Sequence, residues 1–165
     1  MKNLYTFLIV VLIFFGLFNV GCNKDEEFGE QPEEINTELL NTNIELQVSG
    51  FNNLDGSLAI AVFNNANSFE SENQAYKDST LSILDSEMNI LINNIDPGTY
   101  AISVFHDADE NGEITFGGFL NLIPQEGFGF SNNPNIGMSQ PSYNECKFTI
   151  EGEQTLLVPI TLVYL

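Results

Sequence analysis

The sequence predicts an all-β fold: an antiparallel β-sandwich of about seven strands with one long loop rich in glycine and phenylalanine. Three observations carry that prediction. Short runs of period-two alternation recur along residues 43–165, turn signals separate them, and no strong amphipathic helix interrupts them.

The first run sets Ile44, Leu46 and Val48 on one side of a strand and Glu45 and Gln47 on the other. Asn53-Leu54-Asp55-Gly56 marks a turn, because Asp-Gly accepts positive φ readily. Residues 57–63 are apolar on both faces, Leu58, Ile60 and Val62 against Ala59, Ala61 and Phe63, as a central strand covered on both sides would be. These two runs are expected to form a hairpin. Residues 64–79 read as a long polar connection with one helical turn, anchored by Phe69 and Tyr76. Strands at 80–84 and 88–92 follow, then the type II turn signal Pro97-Gly98. The next strand, 100–106, turns Tyr100, Ile102, Val104 and His106 to one face. Strands at 147–151 and 155–164 close the domain as a hairpin through Glu151-Gly152-Glu153, and Pro159 puts the last one at an edge. The stretch from Ile95 to Val104 also resembles the turn and strand of prealbumin-like and Cna-B-like sandwich domains, within the broader Ig-like class. That likeness concerns the fold and carries no function.

The N-terminus reads as an address. Lys2 precedes an uninterrupted apolar run at 4–18. About 15 residues is short of the roughly 20 needed to span a bilayer and fits a signal peptide. Gly21-Cys22 resembles the lipobox of bacterial lipoproteins, so Cys22 is the expected lipidation site and the membrane an expected partner. Acyl chains hold because each buried methylene contributes about 0.8 kcal/mol. The alternative is an uncleaved anchor with an incidental cysteine. Asn23-Lys24-Asp25-Glu26-Glu27 resembles the lysine-plus-acids signal of surface-exported lipoproteins. The expected location is therefore the outer membrane, exposed at the cell surface, with a periplasm-facing orientation as the alternative. Residues 22–42 are acidic and poor in large apolar groups, which predicts a flexible tether. The chain thus divides into a signal peptide (1–21), a tether (22–42) and a β-sandwich (43–165).

Charge narrows the partners. There are 23 acids against four lysines, for a net charge of −19, and loss of Lys2 with the signal makes it −20. Phosphate backbones would repel such a chain, which excludes nucleic acid as a partner. The acids favour cations, or simply keep the domain soluble. With Cys22 lipidated, Cys146 has no disulfide partner. It reads as a small buried thiol, alternating with Phe148 and Ile150 on a strand face.

The chemistry concentrates in residues 106–133. Asp107, Asp109 and Asn111 place side-chain oxygens at alternate positions, Gly112 permits a sharp turn, and Ile114 pins the loop to the core. This is the first half of a calcium loop, in which the Glu113 carbonyl and Thr115 would supply further ligands. The pattern is incomplete. Its twelfth position, where a bidentate Glu belongs, is Gly118, and an acid from elsewhere, such as Glu126, would have to replace it. A turn whose Asx side chains bond their own backbone is the alternative. His106 beside Asp107 invites a catalytic role, but adjacent strand residues face opposite ways. A packed histidine is the expectation, and the protein is read as no enzyme; a hydrolase using His106 and Glu126 is the weakest reading. Phe116, Phe119, Phe128 and Phe130 lie among glycines and must either tuck under the loop or face a ligand. In the second case Phe128, Phe130, Asn132 and Asn133 would form a binding patch for carbohydrate or peptide.

His106-Asp107-x-Asp109-x-Asn111-Gly112, Ile123-Pro124-x-Glu126-Gly127-Phe128-Gly129-Phe130-Ser131-Asn132-Asn133 and Pro141-Ser142-Tyr143 together resemble the bacterial exported domain-of-unknown-function 2141 family. The likeness covers roughly residues 44–164. Asp109 stands where that family usually has Asn, and residues 117–122 depart from its tighter approach to Ile-Pro. The resemblance implies an all-β exported domain and no established activity. The functional expectation is a non-enzymatic, lipid-anchored module with a calcium-stabilised loop. The alternative is a structural or assembly protein of the cell envelope with no metal.

Overall fold

The computed structural model describes residues 42–165 other than 119, 121 and 138. The expected signal peptide, Cys22 and the tether up to residue 41 lie outside the described residues. In chain order the elements are β1 (Asn43–Ser49), β2 (Ser57–Phe63), α1 (Ala66–Glu70), β3 (Lys77–Ser82), β4 (Glu87–Ile92), β5 (Gly98–Asp107), β6 (Phe116–Gly117), β7 (Ile123–Pro124), β8 (Phe128–Phe130), α2 (Tyr143–Cys146), β9 (Phe148–Ile150) and β10 (Thr155–Thr161). Each of the seven expected strands forms, but the third runs over Lys77–Ser82 rather than 80–84, so the polar connection before it is shorter than expected. The short β6, β7 and β8 are additions inside the long loop.

Two sheets share one core. The first has the order β10-β1-β4 and the second β3-β2-β5-β8, with β9 beside the start of β5 on the edge that β8 continues. Every pairing of these strands is antiparallel except β1 with β10, which run parallel from Asn43↔Thr155 to Ser49↔Thr161. Neither expected hairpin forms. β1 pairs with β4 and β10 while β2 pairs with β3 and β5; likewise β9 pairs with β5 and β10 with β1. The linking turns carry the chain from one sheet to the other. Gly50, at φ +86, runs so close to the Leu162 carbonyl that a Cβ would lie 3.0 Å from it. Glu153, at φ 56, donates its N–H to Thr42 Oγ1. Alternation specifies which face a residue takes, and leaves the neighbouring strand open.

The inner faces bury Ile44, Leu46, Val48, Val158 and Ile160 from one sheet against Leu58, Ile60, Val62, Ile102 and Val104 from the other. Burying a side chain of this kind contributes about 1.5–3 kcal/mol. Thr42 is buried too, and its carbonyl accepts from Ile95 N–H. Pro159 lies on β10, an edge strand of the first sheet, where its missing N–H disrupts no ladder.

A second layer covers part of the outer face of the second sheet. Phe63, Ala101, Phe128 and Phe130 pack under Phe69 of α1 and under Tyr143 and Cys146 of α2. α1 starts where the Asn65 side chain accepts from Ser68 N–H at 2.9 Å, and the Tyr143 hydroxyl donates to the Thr99 carbonyl. Cys146 is buried as expected but ends α2 rather than lying on a strand; its spacing of three from Tyr143 is helical. Burial, helped by the nearby Glu145 charge, pushes its thiol up to about 11. β2 is thus covered on both faces at its Phe63 end. At its Ser57 end the outer face is open, and there the acidic loop begins.

Candidate metal centre

β5 turns Tyr100, Ile102, Val104 and His106 inward and delivers Asp107 to the outer face as its last residue. The turn after β1 presses against this point. Gly56 has φ +70, and a Cβ there would sit 2.0 Å from the Asp107 carbonyl oxygen, so no other residue fits. His106 is fully buried. Its Nε2 lies 2.7 Å from the Asp55 carbonyl and its Nδ1 2.7 Å from the Tyr164 hydroxyl. A carbonyl only accepts, so Nε2 carries a proton and donates to Asp55, while Nδ1 shares its hydrogen bond with the Tyr164 hydroxyl. Phe51 and Tyr164 meet the ring edge to face.

Three carboxylates converge beyond Asp107. Oxygens of Asp107, Asp109 and Glu126 all lie within 4.8 Å of one another. Asp107 and Glu126 are buried and Asp109 is exposed. Glu126 is the acid supplied from outside the loop, placed there by the return of the chain through β6 and β7. Its Oε1 accepts from Ala108 N–H at 2.8 Å and its Oε2 from Thr115 N–H at 2.9 Å. Asp107 accepts from Asn111 N–H at 3.0 Å through Oδ1 and from Gly112 N–H at 2.9 Å through Oδ2. Each of these oxygens keeps a second lone pair. Neither described lysine is spent here: Lys77 donates to the Asn93 and Asn94 carbonyls and Lys147 to Asn144. Three carboxylates at this spacing repel, and hard oxygens are what calcium takes.

The other expected ligands border this group. Asn111 turns its amide nitrogen to Asp109 Oδ2 and Thr115 Oγ1, while its oxygen accepts from Glu113 N–H. Thr115 also donates its hydroxyl to Asp109. Glu113 is exposed. These bonds are those of an Asx-rich turn, and the convergence of Glu126 adds to that turn rather than replacing it. Beside the loop a groove of about 470 Å³ runs over the uncovered end of the second sheet, past Ser57, Thr80, Ser82, Phe105, Glu110 and Asn111.

The expected aromatic patch is not at the surface. Phe128 and Phe130 are buried in the second core layer, because β8 pairs with β5 and turns both rings under α1. The glycines between them admit neighbours. A Cβ on Gly127 would lie 2.3 Å from the Tyr164 ring, and one on Gly129 2.6 Å from Ile160. Ser131 accepts from Ile102 N–H and donates to the Cys146 carbonyl. Asn132 and Asn133 are exposed, yet both adopt positive φ and tie neighbouring elements to this segment: Asn132 donates to the Glu145 and Lys147 carbonyls at the end of α2, and Asn133 bridges Pro159 and Thr161 of β10. This segment is a latch, and sequence reasoning that set its glycines against close packing could have found it. Tyr164, missed by that reasoning, joins the latch to His106; burial raises its hydroxyl pKa, and the Glu126 charge adds to the shift.

No curated protein and no solved structure matches this chain. Residues 46–157, from β1 to β10, match the model of the family described as "Uncharacterized protein conserved in bacteria (DUF2141)", and the chain belongs to that family.

Proposed function

We propose that this protein is a non-enzymatic β-sandwich module, lipid-anchored through Cys22 outside the cytoplasm, whose acidic loop is held by a calcium ion. One observation carries the metal reading. Glu126, far along the chain from Asp107, arrives within 4.8 Å of Asp107 and Asp109, where a calcium loop would need its missing acid. Asp107, Asp109 and Glu126 are the first ligands of that site, with Thr115, Asn111 and the Glu113 carbonyl available at its border. The groove beside the loop is the surface offered to a ligand. Its hydroxyl and amide lining, with Phe105 as an aromatic element, suits carbohydrate or a polar peptide. His106 has both ring nitrogens committed to hydrogen bonds, which supports a packing role over that of a general base.

Calcium titration followed by thermal unfolding tests this. Calcium is expected to raise the melting temperature of the unaltered chain and to leave that of Asp107→Ala with Asp109→Ala unmoved. A ligand at 100 times its Kd stabilises by about 2.7 kcal/mol, several degrees for a domain of this size. An unaltered chain with the same melting temperature in calcium and in chelator would favour the second reading, a structural or assembly protein of the envelope without a metal. The backbone N–H donors on all four oxygens of Asp107 and Glu126 support that reading.

A further inference from the structure

The β6–β7 hairpin sets four large apolar side chains in solvent: Phe116 at 51 %, Leu120 at 72 %, Leu122 at 66 % and Ile123 at 40 % exposure. Single exposed apolar residues are ordinary, but a group on one hairpin marks an interaction site. From Ile114 to Gln125 the sequence has no charged residue, although the chain carries 23 acids and four lysines. The hairpin is fixed at its root, where Gln125 N–H donates to the Thr115 carbonyl and Thr115 N–H to Glu126.

We propose that this hairpin seats in the apolar edge of a zwitterionic lipid bilayer. Charge favours that occupant. Inserting charge into hydrocarbon is costly, and this stretch of an acidic chain carries none. Size favours it over a protein partner or a second copy. A stable protein interface covers about 800 Å² on each side, from roughly 20–30 residues, whereas the hairpin offers four large apolar groups on two-residue strands. Seating then presses Phe116, Leu120, Leu122 and Ile123 below the headgroups, and the strands of the sandwich stay in water.

The chain has no tryptophan, so a single introduced one reports its own surroundings. Full-length Leu120→Trp, Phe116→Trp and, as a control on an exposed site toward the opposite end of the sandwich, Leu91→Trp are each mixed with phosphatidylcholine vesicles carrying brominated acyl chains, in calcium-containing buffer. Both hairpin variants are expected to shift their emission to the blue and to be quenched several-fold more strongly than Leu91→Trp. Equal quenching in all three would overturn the proposal even for a chain bound by its N-terminus, since the readout is local. A blue shift that needs no vesicles and grows with protein concentration would overturn it too, by assigning the hairpin to a second copy. Mass spectrometry of the mature N-terminus tests lipidation separately, so the two readings fail independently.

Discussion

The acidic loop from Asp107 to Thr115 and the latch from Glu126 to Asn133 look alike in the sequence, both polar, glycine-bearing and irregular, but the structure uses them in opposite ways. The loop faces outward, and its side chains bond to one another and to their own backbone. The latch faces inward: two phenylalanines enter a core layer, and Ser131, Asn132 and Asn133 bond to β5, α2 and β10. Glu126 belongs to both, since it opens the latch and closes the loop. Glycine therefore has two uses here. In the latch, Gly127 and Gly129 make room for Tyr164 and Ile160; in the loop, Gly112 has open space around it and supplies only its positive φ.

The contrast is broken most directly in the latch. Phe130 packs with Phe69 and Phe128 beneath the helices, and Phe130→Ala would leave a cavity. The expected loss is about 3–5 kcal/mol, read as a lower urea midpoint with unchanged slope. A loss below about 1 kcal/mol would mean that the ring is not a core group and that the surface patch deserves reinstatement.

Much of this was legible from side-chain period alone. The inward set of Tyr100, Ile102, Val104 and His106, the two-sided burial of β2 at its Phe63 end, and the edge position forced by Pro159 all follow from the pleat and from proline's missing N–H. Strand partners were not legible. Asp55-Gly56 does make a turn, but it presses on Asp107 and crosses between sheets instead of closing a hairpin. Cys146 fits alternation with Phe148 and also helical spacing with Tyr143, and tertiary packing decided for the second. In the site, Asp107 and Asp109 could be read from their spacing. Glu126 could only be suggested, because its place depends on how the β6–β7 hairpin returns the chain.

The inner region also carries a titration. The Cys146 thiol is raised from 9.0 to about 11 by burial, and the Tyr100 hydroxyl from 10.0 to about 12, again chiefly by burial. Both groups are neutral when protonated, and the fold favours the neutral forms. Their contribution is complete below pH 9 and is lost as pH rises through 11 and 12. Urea unfolding should show stability level from pH 7 to 9, then a fall to which Cys146 contributes roughly 2 kcal/mol by pH 11. Cys146→Ala should flatten that part of the fall, while Asp109→Ala, on the outer loop, should leave its shape unchanged.

The smallest effects sharpen the outer half of the contrast. In chelator, Asp107→Ala removes the acceptor for two backbone N–H groups, and should cost about 1–2 kcal/mol because water can reach those donors. Asp109→Ala removes an exposed carboxylate bonded within the turn, and should change stability by no more than about 0.5 kcal/mol. Calcium should make the two variants alike in one respect, since each lacks a carboxylate of the same cluster and each should lose most of the calcium-dependent rise in melting temperature. The unaltered chain must show that rise for the comparison to count. If Asp109→Ala kept the whole of it, the exposed carboxylate would be a turn residue only, and any cation would rest on Asp107 and Glu126. The gap between the two variants in chelator measures the turn, and the rise that calcium gives to the unaltered chain but not to either variant measures the ion.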